Sequence, residues 1–177
     1  MPSAKAHDAI TVLLAIPIFG AAWFVSGNLI FAAVIAVASL FGGLVFSPDL
    51  DTHSKQYTRW GIFRIVWLPY QLVFKHRSRF THGIIFGTLL RTIYLAGLIT
   101  LLAFLIACIS AVYARGDWPD IVLIMREWHW LNEFIGLYMG TNFPLLVFFG
   151  LWLGGLSHTI TDIAGTYVKT GKVKVML

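Results

Sequence analysis

Four apolar runs dominate the chain: Ile10 to Val25, Leu29 to Phe46, Gly83 to about Tyr113, and Phe143 to about Ala164. Between them they hold two formal charges, Arg91 and Asp162. Each run is long enough, or nearly so, to cross a hydrocarbon core of roughly 30 Å as a helix. With 58% hydrophobic and 12% charged residues in 177, the composition excludes an ordinary soluble domain. The expected fold is all-α: one membrane domain, 1–177, built as a bundle of four transmembrane helices at about 9–25, 28–46, 82–113 and 143–164. A loop at 47–81 would lie on one side and a loop at 114–142 on the other.

The first run is short and contains Pro17, which raises the alternative of a cleaved signal peptide. Its basic flank is a single Lys5, and cleavage would discard His7 and Asp8, so the run is read as a helix. Ser26-Gly27-Asn28 makes a tight turn into the second helix, which Ser47-Pro48 ends because the residue before a proline avoids the helical region. The third run has 31 residues. At 1.5 Å per residue it is about 46 Å long, so it must tilt, protrude or break.

Orientation follows from Lys and Arg. The N-terminus, the 47–81 loop and the C-terminus carry ten of the thirteen: Lys5, Lys55, Arg59, Arg64, Lys75, Arg77, Arg79, Lys169, Lys172 and Lys174. The opposite loop carries only Arg115 and Arg126, which makes the first face cytoplasmic, with both termini on it.

That topology brings four short clusters to the same face: His7-Asp8, Asp49-Leu50-Asp51, His76 through His82, and His158 with Asp162. They contain four of the eight acidic residues and four of the six histidines. His158 and Asp162, spaced i, i+4, share a helix face and can grip one ion. Backwards along that stripe lie Gly154 and Gly150, a small-xxx-small pattern that admits a close helix neighbour. His76 and His82 are six positions apart, so on one helix they would diverge by about 120°, which puts His76 in a loop. Ionisable groups at membrane depth are usually functional, and mixed imidazole and carboxylate donors suit a divalent metal. Zinc fits first, with manganese or iron as alternatives, as one or two ions. The proposed ligands are His7, Asp8, Asp49, Asp51, His76, His82, His158 and Asp162, with Asp8 or Asp51 as general base if not ligated. Arg77 and Arg79 lie between two ligands, where a guanidinium fork suits a phosphate.

The order of His7, Pro48-Asp49-Leu50-Asp51, His76-Arg77 through Phe80-Thr81-His82, and Leu156-Ser157-His158 through Asp162 resembles the membrane-bound metal-dependent hydrolases. The opening Met1-Pro2-Ser3 before His7-Asp8 is similar to a sub-group described only as metal-binding membrane proteins. The resemblance implies a metal-dependent hydrolase with His7, Asp49, Asp51, His76, His82, His158 and Asp162 as its site.

The stretch from Arg59 to Lys75 mixes Trp60, Ile62, Phe63, Trp67, Tyr70 and Phe74 with basic residues and reads as an interfacial segment on the cytoplasmic leaflet. Its charge would attract anionic headgroups. Membrane lipids are therefore the expected partners, and a phosphoester, in a lipid or otherwise, the expected substrate. Nothing indicates nucleic acid. His53 reads as a loop histidine, His129 as part of an aromatic belt, and Arg91 as a residue that snorkels or pairs away from the site. The rival from another class is a non-catalytic scaffold stapled by metal or a polar network. A transporter is less favoured, because transport ligands usually lie near the midplane.

Overall fold

In the computed structural model the described residues are 3–76, 78–118 and 120–171; the side chains of Arg79, Arg115 and Leu123 are also outside the description. Among them every regular element is helical. α1 (Ala4–Ser26), α2 (Leu29–Leu44), α6 (Phe86–Arg115) and α8 (Phe143–Thr170) are the four helices long and apolar enough to cross a membrane. Between α2 and α6 come a 3-10 turn (Pro48–Asp51), α3 (Lys55–Thr58), a second 3-10 stretch (Gly61–Trp67), α4 (Leu68–Val73) and α5 (Arg79–His82). α7 (Ile121–Met139) precedes α8.

Several boundaries differ from the sequence expectation, for local reasons. Ser3 caps α1 by accepting from the Ala6 amide, so the helix begins five residues early and takes His7 and Asp8 inside it. The turn after α1 is as expected: Gly27 takes a left-handed φ of 61°, and the Asn28 side chain caps Ile30 and Phe31. The third helix starts at Phe86 instead of 82, because Ser78 caps a separate turn and extended Gly83 ends it at His82. The loop expected at 114–142 contains the 19-residue α7, capped by Asp120.

The chain divides into two compact units, Met1–Thr92 with Leu145–Leu177, and Ile93–Pro144. The second holds the later part of α6 and α7, with an apolar groove of about 590 Å³ lined by Ala103, Ala107 and Ala111 opposite Ile124, Trp128 and Leu131. Its acids are exposed; Glu133 pairs with His129 at 3.1 Å on the α7 surface.

The first unit is built on glycine. Lipid tails are as apolar as leucine, so helices in a membrane associate through close packing instead of burial from water. A Cβ added to Gly150 would fall 2.5 Å from Ala38 Cβ, one on Gly42 would fall 2.5 Å from the Leu151 carbonyl oxygen, and one on Gly154 would collide with the Ser39 carbonyl. Gly150 meets Ile35 to Ser39 and Gly154 meets Ser39 to Gly43, so α2 and α8 run parallel, backbone against backbone. Gly43 in turn touches Thr11 of α1. His158, one turn beyond Gly154, is thereby placed at the same end as the close of α2 and the start of α1.

An aromatic cluster seals that end. Trp67, Tyr70, Phe46 and Tyr57 are buried, and Trp67 meets Phe46, Trp60 and Tyr70 edge-on at 5.6, 5.1 and 5.6 Å. Burial pushes the Tyr70 hydroxyl up to about 12. Ile62, Phe63, Ile65, Leu72 and Val73 face outward, which gives the 61–73 stretch two unlike sides. From the inner side the Gln71 amide donates to the Leu50 and Thr52 carbonyls at 3.0 and 3.2 Å and so pins the 3-10 turn that carries Asp49 and Asp51.

Candidate metal centre

Two three-residue groups with metal-ligand chemistry meet at the sealed end. The first is His7 from α1 with His158 and Asp162 from α8; the second is Asp49 from the 3-10 turn, His76, and His82 from α5. Within each group one ligand atom per residue lies within 4.8 Å of the others. In the first, His7 Nε2 is 3.3 Å from Asp162 Oδ1, His158 Nε2 is 3.7 Å from Asp162 Oδ2, and the two imidazoles stack at 4.0 Å. Asp49 joins the groups: Oδ1 is 3.4 Å from His82 Nε2 and Oδ2 is 3.3 Å from His158 Nε2.

The first group fits a cation. His7 Nδ1, both nitrogens of His158 and both carboxylate oxygens of Asp162 are buried and satisfy no hydrogen bond among the described residues. Leaving one buried polar group unmade costs about 1–3 kcal/mol. Of these atoms His158 Nε2 and the two Asp162 oxygens, with His7 Nε2 beside Oδ1, are a donor set that a divalent ion of borderline softness would complete.

The remaining sequence candidates are placed as follows. Asp8 departs from the ligand role: Arg59 grips it with both ends of its fork, at 3.0 and 2.6 Å, and Lys55 adds a contact at 3.1 Å. Arg59 also donates to the Leu44 carbonyl at 2.6 Å. The pair therefore clamps the start of α1 to the end of α2, beside His7. Asp51 lies behind His76 and His82, facing their Nδ1 atoms at 2.7 and 3.5 Å. Arg77, like the side chain of Arg79, is outside the described residues. His53 is exposed and packs edge-on against Tyr57, and His129 pairs with Glu133.

Burial of His82 works against its charged form, but its contacts with Asp49 and Asp51 outweigh that and hold the imidazole above its ordinary value of 6.5. Arg91 was expected to snorkel or to pair away from the site; it pairs, but beside the site. It is 0% exposed and donates to the Thr81 carbonyl at 2.9 Å and the Thr88 hydroxyl at 3.1 Å, next to His82. The sequence signal was available: a lone cation in an apolar helix marks a functional neighbourhood.

The chain matches the family described as "Uncharacterized metal-binding protein (DUF2227)" over residues 2–172, and it belongs to that family. The description carries metal binding and no reaction. Comparison with curated proteins and with solved structures gives no match.

Proposed function

We propose that this member of the metal-binding family is a membrane-embedded metal-dependent hydrolase acting on a phosphoester, in a lipid headgroup or a small molecule. The observation that carries the reading is Asp49, whose two oxygens address His82 of one group and His158 of the other. A carboxylate so placed can serve two ions, with His7, His158 and Asp162 holding one and His76 and His82 the other. Zinc suits these donors first, and manganese or iron next. Bound there, such ions would lower the pKa of a water and polarise a phosphoryl oxygen.

The chain's own residues set the remaining terms. The His76 side chain is 41% exposed and that of Asp49 is 20% exposed, so the second group is the approachable side. Arg77 and Arg79 follow His76 in sequence and receive the phosphate oxygens in this proposal. Asp8 is excluded as a base because its oxygens are engaged by Arg59 and Lys55. In this proposal the loop between α2 and α6, with its Lys and Arg excess, faces the cytoplasm, and its exposed apolar side chains, with basic neighbours, suit an anionic leaflet.

A second reading, a metal-stapled scaffold without turnover, is favoured by the depth of the first group, which ties α1 to α8. Elemental analysis and a panel of phosphomonoesters, phosphodiesters and phospholipids separate the two. The hydrolase reading expects stoichiometric metal and turnover abolished by chelation. Metal without turnover on any phosphoester favours the scaffold, and protein without metal defeats both.

A further inference from the structure

The side chain of Asp51 is 0% exposed, yet it belongs to neither three-residue group. Its Oδ1 is 2.7 Å from His76 Nδ1 and its Oδ2 is 3.5 Å from His82 Nδ1. Asp49, two residues earlier on the same 3-10 turn, faces the opposite nitrogen of His82, Nε2, at 3.4 Å. One imidazole is thus addressed on both edges by two carboxylates. A ligating histidine coordinates through one nitrogen while the other donates to a carboxylate or carbonyl, which fixes the tautomer and the ring plane.

We infer that Asp51 is a positioning residue: it accepts the Nδ1 proton of His76 and, together with the nearer Thr81 hydroxyl, faces Nδ1 of His82, and so presents both Nε2 atoms as ligands, leaving Asp49 as the ligating carboxylate of the turn. This rests on the metal-centre reading above. The sequence alone names both Asp49 and Asp51 as ligands, with Asp51 also a candidate base; their surroundings in the structure differ.

The layer behind Asp51 supports the assignment. The Thr81 hydroxyl lies 3.0 Å from His82 Nδ1 and 3.2 Å from the Ser78 hydroxyl. Arg91 holds the Thr81 carbonyl from below, and its guanidinium sits over the Phe46 ring at 5.7 Å. Room for this is left by two glycines. A Cβ at Gly87 would fall 2.5 Å from the Thr81 carbonyl oxygen, and one at Gly155 would fall 3.1 Å from the Arg91 guanidinium. A buried guanidinium in a membrane-spanning helix needs anions near it; Asp51 and Asp49 are within electrostatic reach. Asp51 therefore faces two imidazoles within electrostatic reach of a buried cation.

The test is a cobalt(II) titration of the full chain in detergent, following both affinity and the visible ligand-field spectrum. Asp51→Asn is expected to weaken cobalt binding roughly 10- to 100-fold while leaving the shape of the spectrum unchanged, since the ligand set is intact. Asp49→Asn is expected to alter the spectrum itself. Should Asp51→Asn fail to fold, nitrogen NMR of the zinc-loaded wild type decides instead, with His76 and His82 expected to be protonated at Nδ1 and coordinated at Nε2. An altered spectrum in Asp51→Asn, an unchanged affinity, or coordination through Nδ1 overturns the inference while leaving the centre in place. A wild type that takes up no cobalt brings down the metal-centre reading together with it.

Discussion

The two ligand groups share Asp49 as a neighbour and differ in what holds them. His7, His158 and Asp162 come from long helices and are 6%, 1% and 3% exposed. Asp49, His76 and His82 come from the turns between α2 and α6, and the His76 side chain is 41% exposed. Metal sites divide along the same line, closed sites serving structure and open ones keeping a position for water or substrate. On the proposed reading, the first group would tie helices and the second would give access, within one connected cluster.

His158→Ala is expected to have the largest effect, because it strips one of the two imidazoles from buried Asp162, the partner facing one oxygen of Asp49, and one ligand from the closed group. A loss of about 3–5 kcal/mol is expected, with at least one ion per chain missing by elemental analysis. Retained stoichiometry would end the distinction between the groups. Next comes Gly154→Val, whose side chain has no space against Ser39 and Gly43. Overpacking of about 1–3 kcal/mol should lower the thermal midpoint and weaken both groups together, since α2 leads into Asp49 and α8 carries His158.

His76→Ala should be milder and selective. It is expected to lose the ion that a chelator removes quickly and keep the slowly exchanging one, with the thermal midpoint hardly moved. Uniform loss of both ions would show that the groups act as a single site. The smallest effect is a pH dependence centred on the open group. The raised His82 value means that the folded chain favours the charged imidazole. In the metal-free protein that contribution is complete below about pH 6.5 and disappears as pH rises through the folded value. Metal binding should run the other way and tighten over the same rise, because the ion and the proton compete for the ring. Calorimetry of metal-free and loaded protein across that range checks both slopes.

Much of this was legible in the sequence because it rests on local patterning. Apolar length marks the spanning helices, Gly27-Asn28 marks the turn, and i, i+4 spacing marks His158 with Asp162. What escaped depends on partners far along the chain. Asp8 looks like a ligand until Arg59, 51 residues away, closes on it. Asp49 and Asp51 both read as ligands until the 3-10 turn aims them at opposite edges of His82. The helix α7 was hidden because its Trp, His and Glu residues read as a polar aromatic loop, although Asp120 caps it. Arg91 was read as snorkelling or pairing away from the site because the depth and neighbours of its helix are tertiary facts.

The central claim is that one end of the bundle holds two ions with Asp49 between them. Elemental analysis combined with anomalous diffraction, on protein purified without chelators or nickel resin, tests it directly. The account predicts two anomalous peaks per chain, about 4 Å apart as in two-metal centres, one among His7, His158 and Asp162 and the other at His76 and His82. Protein free of stoichiometric metal, or a single peak distant from Asp49, would contradict it.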